Sequence, residues 1–204
     1  MIQDDVIARM AEVLDIDLAD FYAASEMAIP GRLTPVDAAA SDSVAALAQL
    51  AMRASVDDVR RMRAMARGLP SPDCSQDDRP PEEVRYRGDG AIVIRMLQNR
   101  NLSFGGMAYA VLPMSGLHLS PSTYAMIRAG RRPLRPVELN IFAVTLGIPP
   151  GKLAALVGLE PAEVMHPAPE LRQEVARLIV DVRGLDKAQI RSIIQEGESW
   201  PVAY

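Results

Sequence analysis

A chain of 204 residues with 49% apolar and 24% charged side chains can bury one or two cores, and its composition excludes an intrinsically disordered protein. Aromatic residues are only 4%, so Leu, Ile, Val, Met and Ala must fill the interior, a palette that favours an all-α fold. A net charge of −4 argues weakly against a nucleic-acid ligand, and the one cysteine, Cys74, excludes an internal disulfide.

Helical periodicity begins at once: Val6, Ile7, Met10 and Leu14, then Leu18, Phe21 and Tyr22, fall at spacings of three and four. Pro30, Gly31 and Pro35 end this pair of helices. After Ser41, residues Val44, Leu47, Leu50 and Ala51 share one face, and Ser55 has the position of an N-cap for a helix over 56–67 that Gly68 stops. Residues 68–87 read as a linker: within 69–84 there are four prolines and five acids and no apolar period. Helices resume at Gly90, over 91–98, 104–112, 120–129, two within 137–159, then 170–182 and 188–195, with a short apolar tail over 200–204. Gly105 and Gly106 predict a poor start for the second of these, and Pro113 and Gly116 predict a long turn over 111–119. No stretch alternates with period two long enough to make a strand. The uncharged run from Phe104 to Ile127 is broken by glycines, prolines and His118, which excludes a spanning helix. No basic-then-apolar signal opens the chain, so a reducing cytoplasmic location is expected.

The chain also repeats itself. Shifted by 132, the pairs Ile7/Leu139, Met10/Phe142, Ala11/Ala143, Leu14/Leu146, Ile16/Ile148 and Phe21/Leu153 coincide. Shifted by 131, Val44/Val175, Leu47/Leu178, Ala51/Val182, Val59/Ile190 and Met62/Ile193 do the same. Residues 1–67 are therefore expected to resemble 137–197 and to form the back half of a unit whose whole version spans 88–197. The domains that follow are 1–67, the linker 68–87, a candidate binding domain at 88–159 and a helical hairpin at 160–204. The two hairpins, 41–67 and 170–197, are expected to pair either within one chain or between two.

Charge is distributed unevenly. Between Arg85 and Arg135 there are eight arginines and one acid, Asp89, whereas the rest of the chain has fourteen basic and twenty-five acidic residues. A basic segment in an acidic chain predicts one polyanion-binding face. Within it, Ser120 is a good N-cap, Pro121 suits the first helical turn, and Ser122 and Thr123 carry hydroxyls there. Tyr124 and Ile127 lie three apart and are expected to face the core, leaving Pro121, Ser122, Ala125 and Met126 outward. Gly130 ends the helix, and Arg131 and Arg132 follow it, within reach of phosphates.

The segment SPSTYAMIRAGRR at 120–132 resembles the recognition helix of the Cro/repressor-type helix-turn-helix proteins, the XRE family, and 90–159 resembles the rest of that domain more loosely. The longer unit is similar to actinobacterial EspR-type regulators, most clearly over DDVRRMRAMARGLPSP at 57–72. The resemblance implies double-stranded DNA as the partner, a homodimer made through the C-terminal helical hairpin, a nucleoid-associated location, and no membrane. It places Ser120, Pro121, Ser122, Thr123 and Met126 nearest the bases and Arg128, Arg131, Arg132 and Arg135 near phosphates. No Arg, Asn or Gln stands in the first turn, so modest sequence specificity is expected. His118, His166 and Cys74 lack metal-ligand spacing, and neither GDG at 88–90 nor GK at 151–152 sits in a phosphate-loop pattern, so no metal, cofactor or enzyme activity is expected. The rival reading is a helical scaffold whose helix-turn-helix no longer binds DNA.

Overall fold

Helix starts in this chain are set by side chains that accept the free N–H groups of a first turn. A computed structural model describes residues 2–70, 88–160 and 168–200, with side chains from residue 5 onward. Among these residues there are eleven α-helices and a few 3-10 turns, and no strand. The helices are α1 (Ile2–Val13), α2 (Leu18–Ala24), α3 (Ser41–Ala51), α4 (Val56–Gly68), α5 (Asp89–Gln98), α6 (Phe104–Ser115), α7 (Pro121–Arg128), α8 (Pro136–Leu146), α9 (Pro150–Val157), α10 (Glu170–Asp181) and α11 (Lys187–Glu198). Asp17, Ser55, Ser103, Ser120 and Asp186 cap α2, α4, α6, α7 and α11 through their side-chain oxygens. Most of the expected linker, with Cys74, Arg85 and Arg87, lies outside the described residues, as do His166 and the tail after Trp200.

Two packed groups of helices share one continuous apolar core. In the first, α7 packs on α5 and on α6, and α8 closes the group against α5 and α6 with α9 beside it. Tyr124 of α7 and Phe142 of α8, both 0% exposed, meet here with ring centroids 5.7 Å apart. In the second, the two hairpins pair within one chain, and reciprocally: α4 lies on α10, and α3 lies on α11. Val44, Leu47, Val59 and Met62 are thereby buried against Val175, Leu178, Ile190 and Ile193. Arg63 reinforces the α4–α10 contact by donating to Glu174 and to Asp181, the latter at 2.8 Å. The groups are joined where α3 packs on α6, α10 on α8 and α2 on α5.

The repeat read from the sequence has a structural counterpart, because α1 to α4 recur as α8 to α11 with matching order and nearly matching bounds at the same offsets. Burial agrees at Ile7 and Leu139, and at Ala11 and Ala143. It disagrees most at two paired positions, where Met10 is 51% exposed and Leu14 43% but Phe142 is 0% and Leu146 3%, and less at Ile16 and Phe21, which are half-buried where Ile148 and Leu153 are buried. Apolar periodicity marks a face suited to burial; whether anything covers it depends on the neighbours, and α1 packs mainly on α2.

α6 departs from its expected form. It runs to Ser115, straight through Pro113, and ends at Gly116 in the left-handed region (φ 77°). A proline inside a helix removes the bond to the carbonyl four residues back. That carbonyl, on Tyr109, accepts instead from Gln49 Nε2 of α3 at 3.3 Å. Its start is not poor either. The Ser103 hydroxyl accepts the Gly106 N–H at 3.0 Å, and the Ser103 N–H donates to Ser41 Oγ at 2.7 Å. A Cβ on Gly106 would lie 2.7 Å from that same Ser41 Oγ, so the glycine is what lets α6 approach the start of α3.

Among the described residues no single helix is long and apolar enough to cross a membrane. α8 and α9 together are apolar enough, but they bend by 113° at their junction and turn Leu139, Phe142 and Leu153 into the core.

Candidate nucleic-acid interface

Among the described helices, α7 rests on its neighbours by one side. Tyr124 and Ile127 are its two buried residues, and α5 and α6 are the helices it rests on. The opposite side carries Pro121, Ser122 and Met126, all exposed, with Thr123 and Ala125 half-buried at its edges. At its N-terminus Ser120 Oγ accepts the Thr123 N–H at 3.3 Å and lies 2.8 Å from Ser122 Oγ and 3.0 Å from Thr123 Oγ1. Three hydroxyls therefore share one helix start, where the peptide dipoles favour an anion.

The other end of α7 is built to turn the chain outward. Gly130 takes φ 66°, the Arg131 N–H donates to Met126 O at 3.0 Å and the Gly130 N–H to Ile127 O at 3.0 Å. This is the paired bond pattern of a Schellman cap, and it needs the left-handed residue that glycine supplies without strain. Arg131 leaves this cap exposed, with no side-chain hydrogen bond or ion pair to any described residue. Arg128, one turn earlier, places its guanidinium 5.8 Å from the Phe104 ring centroid at the start of α6.

Arg132 and Arg135 are anchored rather than loose. Both donate to Glu138, a fully buried carboxylate at the start of α8, which also accepts the Arg135 N–H at 3.1 Å. Burial acts to raise the Glu138 pKa, but the bonds from Arg135 and Arg132 outweigh it and hold the carboxyl below its ordinary value. The result is a pair of guanidiniums fixed in direction beside α7. Arg135 remains 56% exposed by its side chain and keeps donors turned to solvent, whereas Arg132 is 24% exposed and its Nη1 is buried with no hydrogen-bond partner among the described residues. Glu138 was not singled out in the sequence. Its signal was there in R-P-V-E at 135–138, a glutamate at the third helical position after a proline start.

Eight of the nine residues named from the sequence thus fall on α7 or on the stretch that joins it to α8, and the ninth, Ser120, caps the start of α7. The charge count behind them needs one correction. Arg95 is 3% exposed and Arg100 1%, so neither belongs to a surface. Arg100 instead makes a two-pronged bond to Asp20 of α2, with Nη1 to Oδ1 at 3.1 Å. Of the described arginines that remain, Arg131 and Arg135 are exposed and Arg128 and Arg132 half-buried, while the carboxylate of Glu138 is buried and exposed Asp89, at the start of α5, shares a pocket with Arg132. Among the described residues, no group of three His, Cys, Asp or Glu is placed to hold a metal ion. Neither a protein-family model, nor a curated protein, nor a solved structure matches this chain.

Proposed function

We propose that this chain is a DNA-binding protein, a transcriptional regulator or DNA organiser of the nucleoid and not an enzyme, that uses α6 and α7 as a helix-turn-helix and lays the outer face of α7 in the major groove. The observation that carries this reading is the pairing of one helix, buried on a single side, with an arginine cluster at its end. Ser120, Ser122, Thr123 and Met126 then approach base edges, and Arg128, Arg131, Arg132 and Arg135 approach phosphates. Hydroxyls and a methionine offer few bidentate base contacts, so affinity rests mainly on phosphates and on DNA shape. The resemblance of 120–132 to the XRE family points the same way.

Salt titration of binding to a mixed-sequence duplex, read by fluorescence anisotropy, tests this. The logarithm of the binding constant should fall with the logarithm of salt with a slope of about −3 or steeper. Arg131→Ala should make the slope shallower by about 1. No binding at about 50 mM salt would remove the proposal and leave the scaffold reading.

A further inference from the structure

The two hairpins are related by the repeat, so each contact between them can be compared with the one it would become if a hairpin met a copy of itself. The offset of 131 that sets Val44 on Val175 and Met62 on Ile193 turns α3 into α10 and α4 into α11. The reciprocal contacts, α4 on α10 and α11 on α3, are therefore equivalent places. Their chemistry differs. On the α4–α10 side Arg63 donates to Glu174 and Asp181, whose side chains are only 6% and 14% exposed, and Arg67 donates to Asp181 at 3.1 Å. On the α11–α3 side the equivalent places hold Ile194 for Arg63, Glu198 for Arg67, Ser43 for Glu174 and Leu50 for Asp181.

A pair of 170–197 hairpins would thus set Glu174 and Asp181 against Ile194, and Asp181 against Glu198 as well. Asp181 would lose both of its arginines, and Glu174 would keep only the exposed Arg177 of its own helix. The exposed pair of Arg60 and Glu170 would find a substitute, in Arg191, but it lies at the solvent edge where such pairs contribute little. Largely buried carboxylates stripped of their counter-charges oppose that pairing. A pair of 41–67 hairpins is opposed in another way. It would turn Arg63 onto Ser43 and Leu50 with no acid there, and would put Ala66 where Gly197 stands. A Cβ at Gly197 lies 2.6 Å from Met62 Cε and 3.2 Å from Leu50 Cδ2, so the missing side chain is what admits Met62.

We infer that the two hairpins are complementary to each other and not to themselves, so that the chain is closed as a monomer and, on the DNA-binding reading proposed above, meets DNA with one reading head and needs no two-fold operator. The residues that select the pairing are Arg63, Glu174 and Asp181 on one side and Gly197 with Met62 on the other. The homodimer that the family resemblance implies would use the faces of α10 and α11 that α4 and α3 cover here.

Sedimentation equilibrium of the full chain is the first test: the wild type is expected at its own mass of 22.2 kDa at micromolar concentration, and twice that mass overturns the inference. Arg63→Ile puts on α4 the residue that α11 carries at the equivalent place, and should lower the melting temperature by about 6–20 °C. Adding Glu174→Ser and Asp181→Leu copies the α11–α3 contact onto the other side and should recover most of that loss. A single variant that melts within about 2 °C of the wild type, or a triple variant no better than the single, would show that these charges select nothing. Anisotropy titrations with mixed-sequence duplexes of about 12 and about 24 base pairs, one and two helical turns, test the single head. One head gains only added binding positions on the longer duplex, about fivefold at most, whereas two joined heads would gain about a hundredfold or more and contradict the monomer. If neither duplex is bound, the DNA-binding reading fails, and the mass and the melts decide the pairing by themselves.

Discussion

Arg100→Met removes the most deeply buried arginine among the described residues and leaves its partner in place. Arg100 is 1% exposed and Asp20 is 0%; the guanidinium also reaches Leu146 O at 3.5 Å and lies 3.8 Å from Asp17. It therefore ties α2 to the end of α5 and to the last turn of α8. Breaking a buried pair by deleting one member costs about 3–5 kcal/mol, because the remaining charge has no water and no counter-charge. For a chain of this size each kcal/mol moves the melting temperature by about 2–4 °C, so a fall of about 6–20 °C is expected at pH 7. Asp20→Leu combined with Arg100→Met takes away both charges and should recover most of the loss.

The penalty also depends on pH. Burial pushes the Asp20 carboxyl up to about 6 despite Arg100. A carboxyl raised in the folded state adds stability that is fully present below its unfolded value of 3.8 and is lost as pH rises through about 6. At pH 5 Asp20 is largely protonated with or without Arg100, so the Arg100→Met penalty should shrink there. Thermal melts followed by circular dichroism at pH 5 and pH 7 measure both effects. A single variant that melts within about 2 °C of the wild type at pH 7, or a double variant no better than the single, would refute the argument.

Two further changes probe the candidate interface and its support. Glu138→Gln frees Arg132 and Arg135 from their shared anchor and should cost about 1–3 kcal/mol at pH 7 by chemical denaturation. Because the Glu138 carboxyl is held below its ordinary 4.5, that contribution is present above 4.5 and is lost as pH falls below it, so wild type and variant should converge in acid. Gly106→Ala puts a methyl against Ser41 Oγ and should destabilise by about 1–3 kcal/mol, where alanine in an ordinary helix interior would stabilise.

Elements whose signal is local were legible in the sequence. Caps at Ser55 and Ser120, the outward Pro121, Ser122 and Met126 of α7 and the stop at Gly130 depend on residues within one or two turns, and they stand as read, with Ala125 half-buried at the edge of that set. Features set by distant neighbours were not. Arg95 and Arg100 count as surface charge until α2 and the core close over them. Pro113 reads as a breaker until Gln49, sixty-four residues earlier in the chain, takes up the carbonyl it orphans. Val6, Met10 and Leu14 carry the period of a core face, and only the packing shows that they stand exposed among the described residues. The two hairpins likewise have identical patterns whether they pair within a chain or between chains, so only the fold distinguishes the cases.

Ser122→Glu probes the proposed contact between the outer face of α7 and DNA. Ser122 is exposed in the first turn, where a carboxylate is favoured by the helix dipole, so the fold should be unchanged or about 0.3–1 kcal/mol more stable. The same charge would face the phosphates and base edges. Duplex affinity measured by anisotropy at low salt should fall by about tenfold or more while the melting temperature holds. Unchanged affinity for DNA in a folded Ser122→Glu chain would contradict that contact.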